Sequence, residues 1–147
     1  MKPKNILFNI KFFLIIIIVL ILDQLTKILF QYKNFNLIDD FIVVKYAENP
    51  GIIFGLFENN IIFLFLLPLL VIGLIAYYLY KNELNWVGSA LVIAGLFGNI
   101  IDRARLGYVI DWFFVKIVPA YNVSLFNIAD ASLISGIIIL IYFMYKK

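Results

Sequence analysis

Residues 61–80 run for 20 positions without one charged side chain. About 20 apolar residues is what an α-helix needs to cross the hydrocarbon core of a bilayer. Inside that core every backbone N–H and C=O must be satisfied by the segment itself or by a closed sheet, so a lone apolar run of this length folds as a helix. The sequence predicts three more spans, at about 10–30, 86–104 and 130–145. The first is the least tidy, because its purely apolar part covers only 12–22. It has to extend back through Lys11 and forward through Asp23 and Lys27 to Phe30, which places two charges inside one end of a helix. Hydrophobic residues make up 65% of the chain and charged ones 14%, against roughly half and a quarter in soluble domains. The expected fold is an all-α membrane protein, a single integral domain over residues 1–147. Lys2, Lys4 and Lys11 before an apolar core resemble a signal peptide, but no small-residue cleavage site follows, and the segment is expected to stay as a span.

Two segments fall outside the spans, at about 33–58 and 105–128. The first mixes Phe41, Ile42, Val43, Val44 and Tyr46 with a Pro50–Gly51 break and reads as a small β-rich element lying on the membrane. The second reads as a loop whose Trp112, Phe113, Phe114 and Tyr121 suit the bilayer interface. With four spans, both excursions share one face. The termini and the turn at 81–85 occupy the other. Lysines and arginines divide six to six between the faces, so the positive-inside rule leaves the orientation tied. Eight of the nine acids lie on the excursion side.

That asymmetry bears on function. An acid near bilayer depth is costly and is a functional candidate by default. The chain has no cysteine and no histidine, which removes thiolate chemistry, disulfides, the usual general base and the commonest metal ligand. A net charge of +3, scattered along the chain, offers no surface for nucleic acid. What remains is chiefly carboxylate chemistry.

The polar groups fall into short constellations, each with a plain structural reading beside a functional one. Asp23 and Lys27 share a helix face at i, i+4, which suits an ion pair as well as a site. Asn99, Asp102 and Arg103 share a face of the third span, with Gly88, Gly95 and Gly98 behind them. Small residues allow close helix approach, but they do not explain an amide, an acid and a guanidinium pointing together. Asn127 and Asp130 open the last span. Capping accounts readily for one of them and poorly for both. Asp111 stands alone in a hydrophobic stretch, and Glu48-Asn49-Pro50-Gly51 reads as a turn. Taken together, the acids and amides of all four helices and both excursions converge on one membrane surface. Two acids held close there would share a proton, one acting as base while the other stays protonated. Two other classes of function stay open on these residues. One is a proton or ion relay through Asp23, Asp102 and Asp130. The other is an assembly factor that uses the glycine-rich third helix to bind a partner span.

The motifs DQLTK at 23–27, NPGIIFG at 49–55, AGLFGNIIDR at 94–103, VIDWF at 109–113 and FNIAD at 126–130, in this order on these spans, resemble those of lipoprotein signal peptidase (signal peptidase II). The resemblance covers essentially the whole chain. Ile52 and Ile53 stand where the family usually has smaller residues, Ala94 replaces a common glycine and Trp112 a common phenylalanine. The resemblance implies a metal-independent aspartic endopeptidase of the bacterial cytoplasmic membrane, without cofactor, working at the extracytoplasmic surface. Its substrates would be diacylglyceryl-modified prolipoproteins, cut before the lipidated cysteine. By motif matching, the catalytic pair falls on Asp111 and Asp130. Asn49, Gly51, Asn99, Asp102, Arg103, Asn127, Asp23 and Lys27 would line or support the site. The expected partners are the prolipoprotein substrate and membrane lipids, with the protein acting as a monomer. Residues 36–57 and the loop after Asp111 are expected to clamp the substrate from outside.

Overall fold

The computed structural model describes residues 6–38, 41–51, 60–115 and 125–146. Four helices carry the chain: α1 (Ile6–Phe30), α2 (Ile61–Tyr80), α3 (Trp86–Leu106) and α4 (Ile128–Tyr145). Each is long and apolar enough to cross a membrane. Large apolar side chains such as Phe13, Ile17, Leu66, Leu70, Ile138 and Ile141 are exposed on their outer faces, as expected where lipid replaces a protein core. The protein is a multi-pass membrane protein. The tip of the first excursion (52–59, with Ile52 and Ile53) and most of the second loop (116–124) lie outside the described residues, and so does much of the expected substrate clamp.

Helix α3 is the centre of the bundle and packs against the other three. Its small residues are the reason. A Cβ on Gly95 would strike the carbonyl oxygen of Ala129, and one on Gly98 would lie 2.7 Å from Asp23 Oδ2 and 2.9 Å from Ala129 Cβ. One contact of this kind was not read from the sequence. Gly136 of α4 sits against Gly88 of α3, where a Cβ would meet the Gly88 carbonyl oxygen at 2.7 Å. Helix α2 runs unbroken through Pro68 and buries only its inner stripe, including Leu64 and Ile75.

A three-stranded antiparallel sheet caps one end, in the order β1 (Asn34–Ile38), β2 (Ile42–Asn49), β3 (Val109–Val115). Here the structure extends the sequence reading. The second excursion begins as a strand, not as a loop. Gly107, with φ of 84°, ends α3 in the left-handed conformation that glycine adopts without penalty. The chain then turns back to pair with β2, Ala47 opposite Asp111 and Asn49 opposite Val109. The last span also starts earlier than 130, because Asn127 is its cap.

Candidate active site

Asp111 lies on β3 and is buried, with 4% of its surface exposed. Both of its oxygens accept amide hydrogens: Oδ1 from Asn127 Nδ2 at 2.7 Å and Oδ2 from Asn49 Nδ2 at 3.1 Å. Asp130 lies in the first turn of α4. Its Oδ1 accepts from Asn99 Nδ2 at 2.8 Å, and its Oδ2 from the Asn127 backbone N–H at 3.3 Å. Asn127 therefore touches both acids. Its Oδ1 also accepts the Asp130 N–H at 2.8 Å, completing a reciprocal capping box. Helix capping thus accounts for both residues at once, contrary to the sequence reading. The same fold that starts α4 also sets one acid beside the other.

A buried charge cluster supports this pair. Lys27 Nζ lies 2.8 Å from Asp23 Oδ2 and 2.8 Å from Asp102 Oδ2, and it donates to Asn99 Oδ1 at 3.1 Å. Asp23 Oδ1 accepts the Ala129 N–H at 2.8 Å. An acid of α1 thereby satisfies one of the orphan donors at the start of α4, where negative charge is also favoured by the helix dipole. Asp102 Oδ2 accepts the Ile110 N–H at 3.1 Å, fixing the strand residue just before Asp111. Arg103 donates from Nη2 to the Gly51 carbonyl at 2.6 Å, and Gly51 N–H donates to Asn49 Oδ1 at 3.1 Å. That turn is pinned to α3 and holds the Asn49 amide on Asp111.

All ten site residues expected from the sequence fall within this one connected set. Two differences stand out. Among the described residues, α2 contributes no polar side chain to it, so the convergence draws on three helices and the sheet. Gln24 belongs to it and was missed. Its Nε2 donates to Asp102 Oδ1 at 2.9 Å, and its Oε1 accepts from Arg105 at 3.0 Å. The signal was present in the 23–27 motif, but Gln24 carries no charge to draw attention. A cavity of about 340 Å³ lies at the opposite end of the bundle, lined by Asn85, Leu140, Phe143 and others. It is remote from both acids, and the chemistry marks the site instead.

Burial, and then the neighbouring charge of Asp130, push the Asp111 carboxyl up to about 7 from its ordinary 3.8. The amides of Asn49 and Asn127 and the Lys27 ammonium pull the other way without cancelling this. The sign of the linkage follows. Between the ordinary value and about 7, the folded protein keeps a proton that the unfolded chain has released, so rising pH favours unfolding across that window. The melting temperature of the detergent-solubilised protein is expected to fall from pH 5 to pH 8, and Asp111→Asn to flatten that slope. An unchanged slope in the variant would show that Asp111 does not titrate there.

The profile of signal peptidase (SPase) II matches residues 15–146. The chain belongs to that family. It is 35% identical over 144 residues to a lipoprotein signal peptidase of Clostridium tetani, covering 91% of this chain and 92% of the relative. It is 37% identical over 142 residues to one of Caldanaerobacter subterraneus, covering 90% and 94%. Among solved structures, a bacterial membrane enzyme superposes with a TM-score of 0.84 at 30% identity, over 92% of this chain and 88% of that one. The family is one of peptidases, so the two linked carboxylates belong to a proteolytic membrane enzyme.

Proposed function

We propose that this protein is an aspartic endopeptidase that removes the signal peptide from diacylglyceryl-modified prolipoproteins, cutting just before the lipidated cysteine. The observation that carries the reading is the joining of the Asp111 and Asp130 carboxyls through the one residue Asn127, whose side-chain amide donates to Asp111 and whose backbone N–H donates to Asp130. Both acids sit where three of the apolar helices, α1, α3 and α4, meet a surface sheet. Family membership, and the activity for which the relatives are named, support the substrate class.

In this reading a water lies between the two carboxyls. Asp130, at the positive end of the α4 dipole and with two donors on its oxygens, is the base that takes a proton from the water. The water oxygen attacks the scissile carbonyl carbon. Asp111, whose carboxyl burial pushes up to about 7, gives its proton to the leaving nitrogen as the C–N bond breaks. The pair ends the cycle with one proton, as it began. The two groups titrate together, so the rate is expected to show two limbs in pH. A single-limbed profile would count against a shared proton. The substrate's acyl chains stay in the bilayer while its peptide backbone reaches the surface. The protein works as a monomer in the bacterial cytoplasmic membrane, with this end outside and with no cofactor. A proton relay across the bilayer has little support. Deeper in the bundle, Ser89 and Ser132 bond to helix carbonyls, and Ile61–Tyr80 carries no acid.

The test is a gel-shift cleavage assay with the full chain in detergent. Lipid-modified prolipoprotein should be cut with or without chelator, and the same precursor lacking the diacylglyceryl group at least about tenfold more slowly. Folded protein that leaves the modified precursor intact, or that stops when a chelator is added, would overturn the proposal.

A further inference from the structure

Three asparagine amides surround the two acids, and each is held by a group that can only donate. Asn49 Oδ1 accepts the Gly51 N–H, and Asn127 Oδ1 accepts the Asp130 N–H. Asn99 Oδ1 accepts from the Lys27 ammonium at 3.1 Å. Backbone N–H groups and an ammonium have no acceptor capacity. None of the three amides can be turned over without setting its NH2 against another donor. Each is therefore fixed with its NH2 aimed at a carboxylate, Asn49 and Asn127 at Asp111, and Asn99 at Asp130.

Two of those locks are backbone and come with the turn and the helix cap. The third is a side chain reaching across from another helix. We propose that Lys27 is a positioning residue: by holding Asn99 Oδ1, its ammonium keeps the Asn99 NH2 aimed at Asp130 and so keeps that acid able to act as base. This deepens the reading above and rests on it.

The plainer account makes Lys27 only the counter-ion of Asp23 and Asp102. That account leaves the third ammonium hydrogen without a reason to be where it is. Lys27 has three N–H bonds and three acceptors, and the third is the amide that touches Asp130. Asn127 Nδ2 also reaches Asn99 Oδ1, at 3.2 Å, but the same NH2 is engaged by Asp111 at 2.7 Å. The charge-assisted bond from Lys27 is the stronger lock. The charged groups around Asn99 and Asp130 are Asp23 and Lys27 from α1, Asp102 and Arg103 from α3, and Asp111 from β3.

The experiment is a kinetic cycle in the full chain, with cleavage of the lipid-modified precursor as readout. Lys27→Met alone would strand two buried acids, so the cycle is built on Asp102→Asn. Adding Lys27→Met there leaves the cluster with one net negative charge, as in wild type. Relative to Asp102→Asn, both Lys27→Met and Asn99→Ala are expected to lower kcat about tenfold or more. Together they should be no worse than Asn99→Ala, because the lysine acts through that amide. In each, the acidic limb of the kcat/KM profile should move to higher pH by about one unit, because a hydrogen bond to the charged form of Asp130 is lost or misdirected. Effects that multiply, with an unmoved acidic limb, would reduce Lys27 to a structural counter-ion and overturn the proposal. If the Lys27 variants do not fold, Asn99→Asp decides. It keeps an oxygen for Lys27 but turns an oxygen toward Asp130, and it should fold yet lose at least about a hundredfold in rate at neutral pH. Wild-type rates from Asn99→Asp would sink the idea. Cleavage by Asp130→Asn would instead sink the underlying dyad.

Discussion

Asp111→Asn and Asp130→Asn should each slow cleavage of the lipid-modified precursor by about 10³-fold or more, and the double variant should be no slower than the worse single one. The expectation follows from how the acids are held. An asparagine fills nearly the same space at either position, so the sheet and the capping turn have little cause to move. What is lost is the exchange of a proton. An amide in place of the Asp111 carboxyl has no acidic proton to give to a leaving amine, and one in place of the Asp130 carboxylate cannot take a proton from water. Removing either group disables the same step, which is why the losses should not add. The two sites share one further cost. Asp111 accepts from two amide NH2 groups, of Asn49 and Asn127, and Asp130 from an amide NH2 and a backbone N–H, so an asparagine at either position sets its own NH2 against one donor. Both variants should elute from size exclusion as wild type does, and single-turnover gels would give the rates. A variant that keeps a tenth of the wild-type rate would remove its aspartate from the chemistry.

The sequence revealed the helices and the chemistry more readily than the contacts between them. The spans were legible because apolar length is a local property, and only the ends moved: the last helix begins at Ile128, since Asn127 caps it. That Asp111 and Asp130 would fall in one polar set was legible through motif order, and the absence of histidine and cysteine narrowed the candidate chemistry before any geometry was known. Long-range partners were not legible. Nothing near Asp23 announces that it will cap a helix starting more than a hundred residues later, through the Ala129 N–H. Gln24 likewise finds Asp102 across two helices. Strand β3 was hidden for a related reason. Val109–Val115 mixes buried and half-buried positions without alternation, because it meets β2 on one side and the starts and ends of helices on the other. Periodicity cannot report a segment enclosed from several directions.

The glycines of α3 supply the second large effect. Gly95→Ala should lower the melting temperature of the solubilised protein by about 5 °C or more and cut the cleavage rate at least about tenfold. A Cβ at position 95 meets the Ala129 carbonyl oxygen and lies 3.0 Å from the Leu133 backbone nitrogen. Both atoms belong to the backbone of α4, so no side chain can turn aside and the helices must part. Overpacking of this kind costs about 1–3 kcal/mol, and a kcal/mol moves the melting point of a chain this size by roughly 2–4 °C. The rate should suffer as well because Ala129 immediately precedes Asp130 and its N–H donates to the Asp23 carboxylate. A displacement of α4 therefore shifts one dyad acid relative to the other, which is carried by the sheet. Gly73→Ala is the control. A Cβ there meets nothing within 4 Å, and alanine is the better helix former, so stability and rate should match or exceed wild type. If Gly95→Ala behaved like Gly73→Ala, the close seat of α3 on α4 would not be what holds the two acids in register.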